Sequence, residues 1–300
     1  MHKGFLKAGH LPTLFASFLY FDLSFMAWVL LGPLGVSICA GAGNSGTVLA
    51  ALFAPGLAML FGWQSVVGLA AIPLFLTLLV FTAIAKDSPK TQARKTLADH
   101  AAILREPDAW WFMFFYSVTF GGFVGLASSL TISFNDQYGL TPVTAGYCTA
   151  AVVFVGSMVR PMGGAVAGRI GGVGALTVLY AVASAAFATI ATGLSSIYLV
   201  MPVFLIGMLC LGMGNGAVFQ LVPQRFSKEI GVMTGLAGMT GGVGGFYFAS
   251  SLGYSRQFTG GYGLGFLIFA VLAAIALVCL TQVRGRWRAT WVERYGAARV

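Results

Sequence analysis

Residues 151–168 read AVVFVGSMVRPMGGAVAG, an apolar stretch in which Arg160 is the one formal charge. Helix-length apolar runs flank the stretch on both sides, so it predicts a membrane-spanning helix. A guanidinium placed in hydrocarbon costs roughly 2.5–3.5 kcal/mol, and such residues usually face a cavity. The planar fork of donors on arginine suits a small planar oxyanion. Two structural alternatives are that Arg160 extends to water from a helix end, or that it pairs with an acid.

The composition places the chain in a membrane. Charged residues make up 8% of the 300 residues and hydrophobic residues 58%, whereas a soluble domain is normally about 25% charged. The net charge of +9 is concentrated in two basic blocks beside apolar runs, which is typical of cytoplasmic loops and tails rather than of nucleic-acid binding. The blocks are Lys86, Lys90, Arg94, Lys95 and Arg105, and Arg284, Arg286, Arg288, Arg294 and Arg299.

Apolar spans long enough to cross a bilayer recur along the chain. They predict an all-α polytopic membrane protein, because a β-barrel would need short segments of alternating polarity. The predicted spans are 12–36, 40–61, 65–85, 109–133, 143–167, 173–193, 196–222, 230–253 and 262–282. Asp22 is the one acidic residue within a span. It could take up a proton for symport or pair structurally, and the structural role is favoured.

No enzyme or cofactor motif stands out. The four cysteines lie at scattered spacings in apolar segments, and the three histidines lie in the N-terminal tail and the central loop. A metal site is therefore not expected, and the cysteines are interpreted as small core residues. The sequence shows no nucleotide-binding loop or catalytic triad, so neither a cofactor nor an enzymatic activity is predicted.

The distribution of positive residues predicts the orientation of the later helices. If 86–108 is cytoplasmic, six helices return the basic tail to the cytoplasm, and Arg169 and Arg225 fall in cytoplasmic loops. Arg256 is the exception, on the opposite side. The N-terminal part conflicts with this orientation, because Lys3 and Lys7 favour a cytoplasmic start although three spans precede the loop at 86. The conflict centres on 36–47, where two apolar spans meet without a polar turn.

Four stretches carry a resemblance to a known family. They are FYSVTFGGFVGLASSL (115–130), GMGNGAVFQLVPQRF (212–226), AGAGNSGTVLAALFAP (40–55) and GLAGMTGGVGGFYFASSLG (235–253). Together they resemble the seventh, tenth, fifth and eleventh helices of the nitrate/nitrite porters of the major facilitator superfamily. The resemblance implies two six-helix halves that bind the substrate at their interface.

The resemblance also indicates that part of the first half is absent. FLYFDLSFMAWVLLGPLG (18–35) looks like the first helix of the family and runs directly into the fifth-helix signature. The second, third and fourth helices are therefore expected to be missing, which would account for the topology conflict. The expected organisation is a partial N-terminal half (1–85), a cytoplasmic linker (86–108), a C-terminal six-helix half (109–283) and a basic cytoplasmic tail (284–300).

Several site residues are implied by the resemblance alone. Arg160 corresponds to one of two arginines that clamp the anion, and the other belongs on the missing second helix. Asn44 is expected as amide donor, Tyr116 as hydroxyl donor and Phe219 as an aromatic wall. Alternatives are that Asn44 bridges helices and that Tyr116 and Phe219 pack in the core; Asn215 is interpreted as a helix bridge. Four glycines are expected to keep the site helices slim, namely Gly43, Gly46, Gly241 and Gly244.

The function expected from these observations is transport of nitrate or nitrite across the cytoplasmic membrane by alternating access. An alternative is a remnant that does not transport, or a partner subunit of a full-length porter. A porter for another anion, such as an organic acid, would need a wider pocket. The expected partners are a small inorganic anion and the lipid bilayer, with no nucleic acid. A homo-oligomer, or pairing with a full-length porter, would cover the incomplete first half.

Overall fold

The computed structural model describes residues 44–84, 102–227 and 229–295 of the chain. The predicted first span (12–36) and most of the predicted linker therefore lie outside the described residues. All regular elements within the described ranges are helices, which confirms the predicted all-α class. They are α1 (Ser45–Phe61), α2 (Trp63–Leu69), α3 (Ala71–Ile84), α4 (Pro107–Tyr138), α5 (Pro142–Met158), α6 (Arg160–Ile170), α7 (Gly172–Ala191), α8 (Ile197–Arg225), α9 (Ile230–Thr259) and α10 (Gly263–Tyr295).

The helices have the lengths that a membrane requires. Six stretches of the described chain are long and apolar enough to span a bilayer: α2 with α3, α4, α5 with α6, α7, α8 and α10. The glycine-rich α9 is also 30 residues long. The chain is thus a multi-pass membrane protein. The six spans predicted between 109 and 282 all coincide with these helices, from α4 to α10.

The helices from α4 to α10 form one bundle with a shared core. α4 packs along α9, α7 packs between α8 and α10, and α8 also packs against α5 and α6. Stacked and edge-on phenylalanine rings fill the centre, with Phe248 and Phe269 at 4.2 Å and Phe187 and Phe269 at 4.9 Å between centroids. The buried hydroxyl of Tyr180 on α7 donates to the backbone oxygen of Phe115 on α4 at 2.8 Å. Aromatic packing and this bond hold the bundle as a unit.

A carboxylate ties three helices together at one end of the bundle. Asp108, in the first turn of α4, accepts from Arg225 Nε of α8 at 2.7 Å and from Arg286 Nη2 of α10 at 2.7 Å. Trp287 Nε1 of α10 also donates to it at 2.9 Å. Arg225 reaches Glu106 as well, at 2.8 Å. Because Trp287 is fully buried against Phe112, the first part of the predicted tail is a packed continuation of α10.

Arg256, the exception to the predicted distribution of positive residues, lies at the opposite end of the bundle. Its Nε donates to Asp136 Oδ2 at 3.3 Å, and its guanidinium also donates to the backbone oxygen of Gly260. The Tyr262 hydroxyl donates to the same carboxylate oxygen at 3.0 Å. A basic residue on this side is therefore neutralised by a neighbouring acid. This local pairing accounts for its departure from the charge pattern of the other loops.

Among the helices before residue 85, α1 packs on the bundle, mainly along α5 and also against α4. Gly146 of α5 lies against the Ala51 backbone oxygen and the Pro55 ring of α1, where a side chain would collide with both. Gly62, at φ +79°, ends α1 with a conformation that favours glycine. The α2 and α3 helices that follow have their large apolar side chains exposed, including Phe75 and Val80. The hydrocarbon of a bilayer would be their surroundings.

Candidate functional site

Arg160 lies at a break within a single membrane span. The α5 helix ends at Met158, Val159 adopts φ −81° and ψ −7°, and α6 begins at Arg160. Pro161 follows directly, and proline removes a helical N–H donor and crowds the preceding turn, so the chain kinks there. The sequence predicted one uninterrupted span over 143–167. The proline instead places Arg160 at the junction of two helices, in the interior of the bundle.

Two phenylalanine rings of α4 lie beside the Arg160 guanidinium. Arg160 is 3% exposed, and its Cζ lies 4.9 Å from the ring centroid of Phe120 and 5.4 Å from that of Phe123. The two rings are nearly parallel, at an interplanar angle of 8°. The electron-rich faces of aromatic rings attract a cation without hydrogen bonding to it. These contacts stabilise a positive charge in a buried site.

Tyr116 and Phe219 continue the aromatic lining. Tyr116 is fully buried, stacks on Phe120 at 5.1 Å and meets Phe219 of α8 edge-on at 4.7 Å. Its hydroxyl lies close enough to Arg160 for the two groups to interact. The structure therefore brings together three of the four predicted binding residues: Arg160, Tyr116 and Phe219. Their shared surroundings combine one cation, one hydroxyl and flat aromatic faces.

Asn44 lies at the N-cap of α1. Its Nδ2 is buried and makes no hydrogen bond within the described chain. The α1 helix packs along α5, where Ala51 and Pro55 lie against Gly146, and it also contacts α4. Within the described chain, the amide nitrogen of Asn44 makes no hydrogen bond to the other three residues. Its predicted role as an amide donor remains a prediction.

Sequence reasoning did not identify Phe120 and Phe123 as site residues. A usable signal was present, because Tyr116, Phe120 and Phe123 are spaced four and three residues apart and therefore share one face of a helix. The stretch is rich in phenylalanine, however, and the sequence does not indicate which face of α4 meets Arg160. Only the packing of α4 against the α5–α6 kink selects these two rings.

Glycines bring α8 against the backbone of the kinked span. A side chain at Gly216 would collide with the backbone oxygen of Arg160, and one at Gly212 with that of Gly156. On the other side, Gly163 faces the backbone of Met213. We call these three contacts the glycine seam. They fix the depth and rotation of α8 relative to Arg160.

The four glycines predicted to keep the site helices slim have different surroundings. Gly241 of α9 lies against the rings of Tyr116 and Phe120, and Gly244 lies against the backbone of Ser117. Both allow α9 to approach α4 at the level of the site. At Gly46 a Cβ would meet no described atom within 4 Å, and Gly43 lies outside the described residues. A sliding role for all four remains a prediction.

Comparison with known proteins identifies the class. The family model of the Major Facilitator Superfamily matches residues 32–249, so the chain belongs to this superfamily of membrane proteins. It is 31% identical over 242 residues to the "Nitrite extrusion protein" of Bacillus subtilis. It is 35% identical over 248 residues to the "Probable nitrate transporter NarT" of Staphylococcus carnosus. The resemblance to nitrate/nitrite porters that the four stretches predicted is thereby confirmed.

The relatives are considerably longer than the region that matches them. The aligned region covers 79% of this chain and 60% of the Bacillus protein, and 80% and 62% for the Staphylococcus protein. The "Probable nitrate/nitrite transporter NarK2" of Mycobacterium tuberculosis is 30% identical over 242 residues, 79% of this chain and 61% of that protein. The chain thus spans about three fifths of the length of these relatives.

Proposed function

We propose that this chain binds nitrate or nitrite at Arg160 and carries it across the cytoplasmic membrane by alternating access. The observation that carries the proposal is the buried guanidinium of Arg160 on the rings of Phe120 and Phe123. A weakly hydrated, planar monoanion can accept hydrogen bonds from the planar donor fork of arginine. The names of the relatives support the same two anions. The role proposed is transport and not catalysis.

The remaining groups of the site have complementary tasks in this proposal. Tyr116 supplies a hydroxyl donor beside the guanidinium, and Phe219 closes the wall on the α8 side. Asn44 would add an amide from α1 when the first helices close over the site. Gly241 and Gly244 keep α9 against α4, so that the C-terminal bundle rocks as one body. Basic residues near the Asp108 end support a cytoplasmic location for that end and for the C-terminus.

A second candidate function is a chain that no longer transports, or that works as a subunit beside a full-length porter. The observation that favours it is the exposure of α2 and α3, whose large apolar side chains contact little of the described chain. In this case a second copy or a full-length porter would complete the first half.

Purified full-length chain in lipid nanodiscs tests anion binding directly. Nitrate at one hundred times its Kd should stabilise the folded state by about 2.7 kcal/mol, measured as a rise in Tm. Arg160→Lys should abolish most of this rise, because lysine lacks the planar fork. Arg169→Lys is the matched control, since Arg169 is exposed on the same α6 helix. A rise in Tm that survives Arg160→Lys would contradict the proposed site.

Labelled nitrate flux separates the two candidate functions. The wild-type chain and Arg160→Lys would be compared in proteoliposomes at equal protein content, with Arg169→Lys as control. Flux that requires Arg160 supports a working transporter. Stabilisation by nitrate without flux would support the second candidate, a binding-competent chain that cannot complete the transport cycle alone.

A further inference from the structure

The Asn215 side chain on α8 is buried without a hydrogen-bonding partner. Asn215 is 1% exposed, and neither its Nδ2 nor its Oδ1 makes a hydrogen bond within the described chain. The sequence favoured a helix-bridging amide at this position, and an amide in that role would be bonded to a neighbouring helix. A buried amide with no partner is unfavourable, and each such group in a native protein calls for an explanation.

Contacts on either side of Asn215 fix where it lies. Gly214 lies against the Thr119 side chain of α4, and Gly216 lies against the backbone oxygen of Arg160. Successive residues on a helix point about 100° apart. Asn215 therefore lies on the face of α8 between α4 and the start of α6. This is the wedge in which the Arg160 guanidinium lies on Phe120 and Phe123.

The next turn of α8 confirms this direction. Phe219 is four residues after Asn215 and therefore lies on the same helix face. Its ring meets Tyr116 edge-on at 4.7 Å. Asn215 and Phe219 thus face α4 one turn apart, beside the residues that surround Arg160. Burying a polar side chain at this position costs free energy compared with an apolar one, unless a ligand forms hydrogen bonds with it.

We propose that Asn215 is a direct ligand of the transported anion, with its Nδ2 donating a hydrogen bond to an anion oxygen beside Arg160. The proposal rests on the function proposed above and adds a binding residue on α8 to it. An amide adds a directional donor without a second positive charge. The anion is then contacted from α4, α6 and α8 together. When it binds, it accepts a hydrogen bond from the Asn215 Nδ2, which otherwise has no partner within the described chain.

The first test compares Asn215→Leu with wild type in two measurements. Leucine has similar size but no donor, so the Kd for nitrate or nitrite, from Tm titrations in nanodiscs, should rise about tenfold or more. Without anion, the Tm of Asn215→Leu should equal or exceed that of wild type, because two unsatisfied polar atoms are gone. A structural amide would give the opposite pair of results: a lower Tm and an unchanged Kd.

Asn135→Leu is the matched control, since Asn135 donates to the Leu140 backbone oxygen at 2.6 Å away from Arg160. It should lower Tm and leave Kd unchanged. Asn215→Asp preserves shape and gives a second measurement if the leucine variant fails to fold. Its carboxylate should eliminate anion binding by repulsion.

The outcomes for the two proposals differ. Wild-type protein that neither anion stabilises would overturn the proposed function, and the role of Asn215 with it. Wild-type binding that Arg160→Lys removes, but that Asn215→Leu and Asn215→Asp both retain at the wild-type Kd, would overturn the role of Asn215 alone.

Discussion

Of the two rings beside Arg160, that of Phe120 is the closer. Its centroid lies 4.9 Å from the Arg160 Cζ, compared with 5.4 Å for Phe123. A cation–π contact in a desolvated site contributes about 2 kcal/mol. The contact also restricts the orientation of the guanidinium, because a ring packed against one face of this planar group limits its rotation. An anion that binds in that plane would find the donors already arranged.

Replacing Phe120 with leucine should weaken anion binding by about 0.5–2 kcal/mol, through loss of the ring face. The measurement is the nitrate Kd by Tm titration. Phe134→Leu is the control, because Phe134 is equally buried but packs on Phe204 at 5.4 Å, away from Arg160. The Tm of both variants should fall, because each replacement removes packing contacts from the core. If both show the wild-type Kd, the ring beside Arg160 has no part in anion binding.

At the scale of elements, the glycine seam sets the position of the kinked span. α8 approaches the backbone of Gly156 and Arg160 so closely that a methyl group does not fit at Gly212 or Gly216. Close approach of backbones is a common way for membrane helices to pack, since lipid gives no hydrophobic drive for their association. The seam therefore couples the position of Arg160 to that of α8.

Gly216→Ala should destabilise the bundle by about 1–3 kcal/mol, because the added methyl group collides with the Arg160 backbone oxygen. It should also raise the nitrate Kd by moving Arg160. Gly253→Ala is the control: Gly253 lies inside α9, and a Cβ there meets nothing within 4 Å. That variant should gain up to about 1 kcal/mol from helix propensity. Equal Tm and Kd for the two variants would contradict the seam as a constraint.

The helices could be predicted from sequence far better than the site. Runs of apolar residues reveal spans because the bilayer requires a continuous apolar length, and the spans from 109 onward coincide with α4 to α10. The break at Val159 was missed although Pro161 was visible, since prolines also occur inside unbroken helices such as α1 and α8. The position of Phe120 beside Arg160 was not predicted, because an apolar sequence does not specify the facing of each helix.

At the scale of the whole molecule, charge separates the two ends of the bundle. Arg169, Arg225 and Arg286 lie towards the end that Asp108 occupies. The other end of the described bundle carries Arg256, which pairs with Asp136. Positive residues favour the cytoplasmic side. The Asp108 end should therefore be cytoplasmic.

Cysteine labelling measures this orientation. Ser195 and Ser227 are exposed in loops at opposite ends of the bundle, so each would be changed to cysteine in a variant whose native cysteines are replaced by serine. In right-side-out vesicles, a membrane-impermeant maleimide should label Ser195→Cys at once and Ser227→Cys only after permeabilisation. The reverse pattern would place the C-terminus outside.

The carboxylate of Asp108 also joins segments that are synthesised far apart in time. Its Oδ2 is bonded by Arg225, 117 residues later in the chain, and its Oδ1 by Arg286 and Trp287, 178 and 179 residues later. During synthesis the acid at the start of α4 therefore precedes all three donors, and both donors to Oδ1 come from α10. Both acceptor oxygens of Asp108 are therefore satisfied only after α10 has been inserted. Nascent chains that have not reached residue 286 lack both donors to Oδ1, and only Arg225 can then neutralise Asp108.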